Sequence, residues 1–294
     1  MSHRYSAIMQ LVLVAITLAA ILLSGCGAKK FVVAEKPKGI TLEYRMPEGE
    51  VFKYKSTQNA DQTMEMMGMS METTAHKFYE FTCAPQGGEG NNYELRVTID
   101  AMEAGMETPQ GDYAADTDSV LGKSFTLLVS NLGKELDVSD AEPITYDAGP
   151  MGPRSIRPDF QIVFPDLPTT PVEIGAMWTT QDTLEVSEGD IDILVTMTRV
   201  HTLTGIEPMM GMESAVVTTE VTGVVSGVGK QGEADIKVEG TMTGTETWYF
   251  AHEQGLFVEW SSEMFSKNMI DIKGPQEMSF PMSEKMSFKT VLVQ

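Results

Sequence analysis

The chain has 294 residues, with 21 Lys and Arg against 42 Asp and Glu, for a formal charge of −21. Acidity on that scale repels nucleic acid and anionic lipid head groups and argues against a DNA or RNA role. Only two cysteines, Cys26 and Cys83, are present, so a disulfide framework is excluded.

The first 25 residues read as a secretory signal. A short polar start carrying Arg4 leads into an apolar run from Ile8 to Leu23, then Ser24 and Gly25. A charged start, an apolar core and small residues before a cut site have the form of an export signal. The run is 16 residues with Gln10 inside it, short of the roughly 20 that a membrane span needs. Leu23-Ser24-Gly25-Cys26 resembles the lipobox of bacterial lipoproteins. That resemblance implies cleavage after Gly25, lipidation of Cys26 with acyl chains such as palmitate, and permanent anchoring outside the cytoplasm. Gly27, in place of an Asp, leans toward the outer rather than the inner membrane. The mature chain then keeps 20 Lys and Arg against 42 Asp and Glu, a charge of −22. Residues 26–38, with four Lys and one Glu, read as a tether beside the membrane.

Strand signals begin at residue 39. Ile40, Leu42, Tyr44 and Met46 alternate with Thr41, Glu43 and Arg45, the period of a half-buried strand. Pro47–Glu50 is a turn, and Phe52, Tyr54 and Ser56 alternate with Lys53 and Lys55. A Met-rich hairpin follows at Thr63–Glu72, then a strand at Ala75–Cys83 and a Gly/Asn turn at 86–92. Leu95, Val97 and Ile99 make a clear inward face. A polar loop is expected at 105–119, then strands at Phe125–Val129 and Glu135–Val138 about a turn at 131–134.

Residues 143–171 hold seven of the fourteen prolines. Proline removes ladder donors, which rules out a central strand. This stretch is expected to be a linker, with the apolar residues of 159–168 laying it as a strap across β structure. Strands resume with Ile191, Ile193, Val195 and Met197 on one face. They continue at 214–225, 234–242, 245–251, 256–265 and 285–293, with a Gly-closed hairpin at His252–Gly255. No stretch carries a helical period with caps.

The fold expected is mostly β, with antiparallel sheets in two similar half-barrel or sandwich-like halves, 39–142 and 172–294. Met66-Met67-Gly68-Met69 recurs as Met209-Met210-Gly211-Met212, and Gly49-Glu50-Val51-Phe52 is echoed by Gly175-Ala176-Met177-Trp178. With the lipobox, these features resemble β-rich bacterial lipoproteins. They are also loosely similar to the curved sheets of periplasmic lipoprotein carriers and lipid-binding lipoproteins, although no diagnostic motif of those carriers is present. The resemblance implies a concave face that holds acyl chains.

Candidate chemistry centres on methionine. Met64, Met66, Met69 and Met71, with Met209, Met210 and Met212, are candidates for an apolar-ligand face. Thioethers adapt to irregular apolar surfaces, and they also suit Cu(I), so a periplasmic copper-binding protein is an alternative. An envelope scaffold that meets protein partners is another. Zinc lacks clustered ligands, because His76, His201 and His252 are far apart. The acidic loop 112–118 lacks EF-hand spacing. Hydrolase and phosphate-loop motifs are missing, so the chain reads as non-enzymatic, with no cofactor and no catalytic residue. Cys83, left without a partner, reads as a small core hydrophobe.

Overall fold

In the computed structural model the described residues are 39–66, 68–188, 190–274 and 277–293. The expected signal segment with Gly25, the expected lipidation site Cys26 and the expected tether lie outside them. The described chain forms fourteen strands. These are β1 (Phe52–Met66), β2 (Met69–Gly87), β3 (Asn92–Thr108), β4 (Gly111–Ala114), β5 (Ser124–Ser130), β6 (Glu135–Asp137), β7 (Thr145–Asp147) and β8 (Pro153–Ser155). The later part adds β9 (Met177–Glu188), β10 (Ile191–Met209), β11 (Met212–Gln231), β12 (Ala234–Ala251), β13 (Leu256–Lys273) and β14 (Met278–Val293).

Twelve of these strands make one antiparallel sheet in the order β6-β5-β3-β2-β1-β14-β13-β12-β11-β10-β9, with β4 beside β3. The chain therefore starts mid-sheet and works outward to β6 at one edge. It then crosses to β9 at the other edge and works back to the middle. Where sequence suggests two halves, the structure has one sheet running through both. β1 and β14 pair from Lys53–Val293 to Met64–Met282.

The hairpins are longer than local pattern implies. β11 has 20 residues, about 65 Å at the usual rise. Two boundaries differ from expectation. The loop at 105–119 is partly strand, because β3 continues to Thr108 and β4 folds back on it through Gly105–Ala114. The segments 234–242 and 245–251 are one strand that passes through Gly244. A Cβ at Gly244 would stand 2.2 Å from Met264 Sδ, so the Gly that looks like a break is where β13 packs close.

Residues 40–46 alternate in burial, with Leu42, Tyr44 and Met46 buried, yet they form no long strand. Ile40 bridges Val172. The Tyr44 N–H donates to Asn131 O at 2.9 Å and the Arg45 N–H to Gly255 O at 2.9 Å. The segment thus links the β5–β6 turn to the β12–β13 turn.

Residues 138–176 connect the two sheet edges and contain the small β7–β8 hairpin. Phe160 packs edge-on to Tyr79, Phe81 and Phe125, with centroids 5.9, 5.3 and 4.9 Å away. Phe164 packs edge-on to Tyr44 at 5.4 Å and Phe257 at 5.7 Å. The Tyr44 hydroxyl donates to Pro165 O at 3.0 Å. These aromatics, with Trp248, Phe250 and the inward residues of β3 and β5, are the main core. Cys83 lies in it, free and buried, and burial pushes its thiol pKa up.

Candidate binding face

Strand parity sorts every side chain to one of two faces. On β12, Ile236, Val238, Met242, Glu246, Trp248 and Phe250 point inward and are buried, while Lys237, Glu239, Thr241, Thr243 and Thr245 are exposed. On β11, Val217, Val221 and Val225 are buried, and Thr218, Glu220 and Thr222 are exposed. A transmembrane barrel carries its apolar band outside and its polar residues within. This sheet has the reverse distribution. Among the described residues no helix is long and apolar enough to cross a membrane.

The inner face has three levels. At one end lies the aromatic core. Beyond it is a belt of buried charge. Arg199 pairs with Asp182 and, at 3.2 Å, with Glu246, and Lys134 reaches Asp182 at 2.5 Å. Lys134 belongs to the β5–β6 turn and Asp182 to β9, so this pairing draws the two sheet edges together. Lys134 Nζ also donates to Gln181 O at 3.2 Å. Burial would raise the Asp182 carboxyl, but Lys134 and Arg199 outweigh it and hold the pKa low. Asp166 beside it is pushed up to about 7 by burial and by the Asp182 charge. The Glu135 carboxyl is pushed up to about 8 by desolvation, against the main-chain hydrogen bonds it accepts. Its Oε1 accepts the Val163 and Phe164 N–H groups at 2.7 and 2.8 Å.

His201 is stacked on Trp178 at 5.1 Å and bonded to Thr180 and Thr219 at 2.9 and 2.8 Å. Burial and Arg199 pull its pKa down to about 4. A second anchor ties the crossing segment to β2, where Asp159 accepts from Lys77 at 2.9 Å and from the Tyr79 hydroxyl at 2.5 Å. Sequence reasoning missed this belt. Single charges such as Arg199 and Glu246 on alternating strands carry no local signal, and only register brings them together.

The third level is a smaller apolar cluster. Val195, Met197, Val221, Val225, Ile236 and Val238 are among its buried members. The paired ends of β1–β2, β9–β10, β11–β12 and β13–β14 lie at this level. The inner positions Gly229 and Gly240 carry no side chain where a Cβ would stand 2.3 Å from Asp190 O and 2.0 Å from Asn268 Oδ1.

The structure separates the candidate methionines. Met64 and Met71 are directly opposite each other and half-buried, Met69 is exposed, and Met66 pairs with Met69 in register. Met209 pairs with Met212, and Met210 holds the turn with φ 50°. That hairpin sits beside Ser214–Ala251, at the aromatic end. The two Met groups are therefore at opposite ends of the sheet, about 40 Å apart along β11 at the usual rise. They form no joint site.

An open groove of about 400 Å³ lies where β9–β12 pass Arg157, and Val186, Ile193, Leu194, Gly227, Val228 and Val238 help to line it. Leu194 and Val228 are 40% and 64% exposed, and Val224 beside them is 60% exposed. This is an apolar patch on the outer face, where Phe265 and Met269 of β13 are also exposed. Arg157 at its rim pairs with Glu185 at 3.5 Å and Glu142 at 3.6 Å. Gln161 holds the same edge through two bonds to the Glu185 main chain, at 2.7 and 2.9 Å.

No family model and no curated protein matches the chain. Among solved structures, those that align with the chain include an outer membrane channel of Pseudomonas putida F1, with TM-score 0.28, 8% identity, 85% of this chain and 97% of that chain covered. OccK5 of Pseudomonas aeruginosa aligns with TM-score 0.26 and 6% identity, over 85% of this chain and all of that one. The translocator domain of the autotransporter NalP from Neisseria meningitidis gives TM-score 0.20 and 8% identity, with 97% of each chain covered. Scores of this size establish neither a common architecture nor a common role.

Proposed function

We propose that this chain is a lipid-anchored envelope protein, held through Cys26, whose sheet is a non-enzymatic binding module for an apolar ligand such as a lipid chain. The observation that carries the reading is the groove at the β9 edge. Its volume lies within the range of ligand pockets, and Val186, Ile193, Leu194, Val228 and Val238 line it together with the charged Arg157, Glu185, Asp192, Lys237 and Glu239. The outward parity of Leu194, Val224 and Val228 would cost solubility unless something covers them. The lipobox supports the anchoring, and the acidic surface keeps the module off anionic membranes except through its lipid.

A second reading is favoured by the filled interior. Because Phe160 and Phe164 occupy the space between the crossing segment and the sheet, an apolar partner meets the protein from outside. An apolar segment of another envelope protein fits the same patch.

Native mass spectrometry of the purified chain separates the readings. A co-purifying apolar molecule that is lost from Leu194→Glu and Val228→Lys variants supports the ligand reading. A bare mass, with a cross-link from position 228 to one envelope protein, supports the scaffold. Retention of the ligand by both variants would sink the groove assignment. For the anchor, Cys26→Ala should release an exported, soluble form, and persistence in the detergent phase would refute lipidation at Cys26.

A further inference from the structure

One row of the inner face has a chemistry that the groove does not use. Met64 on β1 is directly opposite Met71 on β2 and, on its other side, directly opposite Met282 on β14. All three are half-buried, near the sheet end where Met66 pairs with Met69. Directly opposite residues place their Cβ atoms about 4.5–5.5 Å apart, so Met71 and Met282 stand about 10 Å apart with Met64 between them. Three unbranched side chains with free torsions can bring their sulfurs together across that span.

The next residue in the row is Asn268, opposite Met282. Its Oδ1 is turned over Gly240, 2.0 Å from where a Cβ would stand there. The carboxamide therefore leaves the row to the thioethers. Among the described residues no group of three His, Cys, Asp or Glu side chains could hold a metal. Thioethers are neutral, soft ligands that select Cu(I) over zinc, calcium or magnesium. Glu65 and Glu72, exposed on the same hairpin, add a local field that attracts cations.

We propose that Met64, Met71 and Met282 form a three-thioether site for a soft monovalent cation, Cu(I), with Ag(I) as its isoelectronic substitute. Met282 belongs to the site although it is more than 200 residues from the hairpin in sequence. Met209, Met210 and Met212 do not belong to it. The site is independent of the apolar groove, which uses other residues.

The test is an anaerobic titration of the full chain with Cu(I) against a competing chromogenic chelator, repeated in air with Ag(I). One equivalent should bind. Met64→Leu, Met71→Leu and Met282→Leu should each weaken it at least about tenfold, since loss of even an outer-sphere partner costs a metal site that much. Replacing Met209, Met210 and Met212 by Leu should change nothing. Leu and Met are close in volume and both apolar, so these variants fold, and unchanged thermal melts would confirm it. Absence of saturable binding, or affinity unchanged in the triple Met64/Met71/Met282→Leu variant, would overturn the site. Neither outcome bears on ligand binding at the groove.

Discussion

The two ends of this sheet are built from the same strands and packed by different means. At one end Tyr44, Tyr54, Phe81, Phe160, Phe164, Trp248, Phe250 and Phe257 fill the interior, and the segment between the edges supplies two of those rings. At the other end the interior is Val, Ile and Met, with Gly in the wall and no crossing segment among the described cluster members except a flank of Ile162. Large rings fill space between elements that are held apart. Small aliphatics and glycine let neighbouring strands of one sheet approach closely.

The sharpest way to break that contrast is to cut one residue at each end. Phe164→Ala should cost about 3–5 kcal/mol, whereas Ile236→Val should cost about 0.5–1.5 kcal/mol. Urea melts of both variants would read the difference, and equal losses would show the ends to be equivalently packed.

Between the ends, Arg199→Met should cost about 3–5 kcal/mol, because it leaves Glu246 buried without its cation and Asp182 with Lys134 alone. Replacing all three with apolar residues of similar volume should recover most of the loss. If the single variant melts like wild type, the belt is not holding the edges together.

A third expectation concerns pH. Glu135 is raised to about 8 from an unfolded value near 4.3, so the folded state holds the extra proton between those values. Its contribution is complete below about pH 4 and is lost as pH rises through about 8. His201, lowered to about 4, acts oppositely, and its contribution is lost as pH falls from about 6.5 to 4. Glu135→Gln keeps an acceptor for the Val163 and Phe164 N–H groups and removes the proton. It should flatten the decline of Tm between pH 6 and 8. An unchanged slope would assign that decline to Asp166, which is raised to about 7.

The smallest effect is expected at Thr290, whose buried Oγ1 has no hydrogen-bond partner. Thr290→Val removes an unpaired polar atom and should leave stability unchanged or raise it by about 1 kcal/mol. A clear loss in calorimetry would mean that the hydroxyl is satisfied in solution.

Alternation made much of the sheet legible. Leu95, Val97 and Ile99 face inward as their pattern demands, and Gly255 closes its hairpin with φ 75°. Strand length was not legible. The far half of β11, with Gly223, Gly227 and Gly229 at inward positions, lacks the side chains that mark a strand in sequence. They are absent because neighbouring strands occupy that space. The candidate site was legible only where it is local. Met64 and Met71 share one hairpin, but Met282 meets them through pairing set by the whole topology. The groove depends on Leu194 and Val228 facing outward, which parity alone reveals once register is known.

The route of the chain through the sheet also orders events in time. β1, the first strand made, has β14, the last, as one of its two neighbours, with Lys53 against Val293. A chain made in the N-to-C direction can form β1–β2–β3 early, yet one side of β1 stays open until β14 arrives. Such distant pairing is slow to form, and an open strand edge invites wrong partners meanwhile. The last dozen residues therefore act as the clasp of the fold. Deleting β14 would leave two unpaired edges in the middle of the sheet rather than one trimmed end.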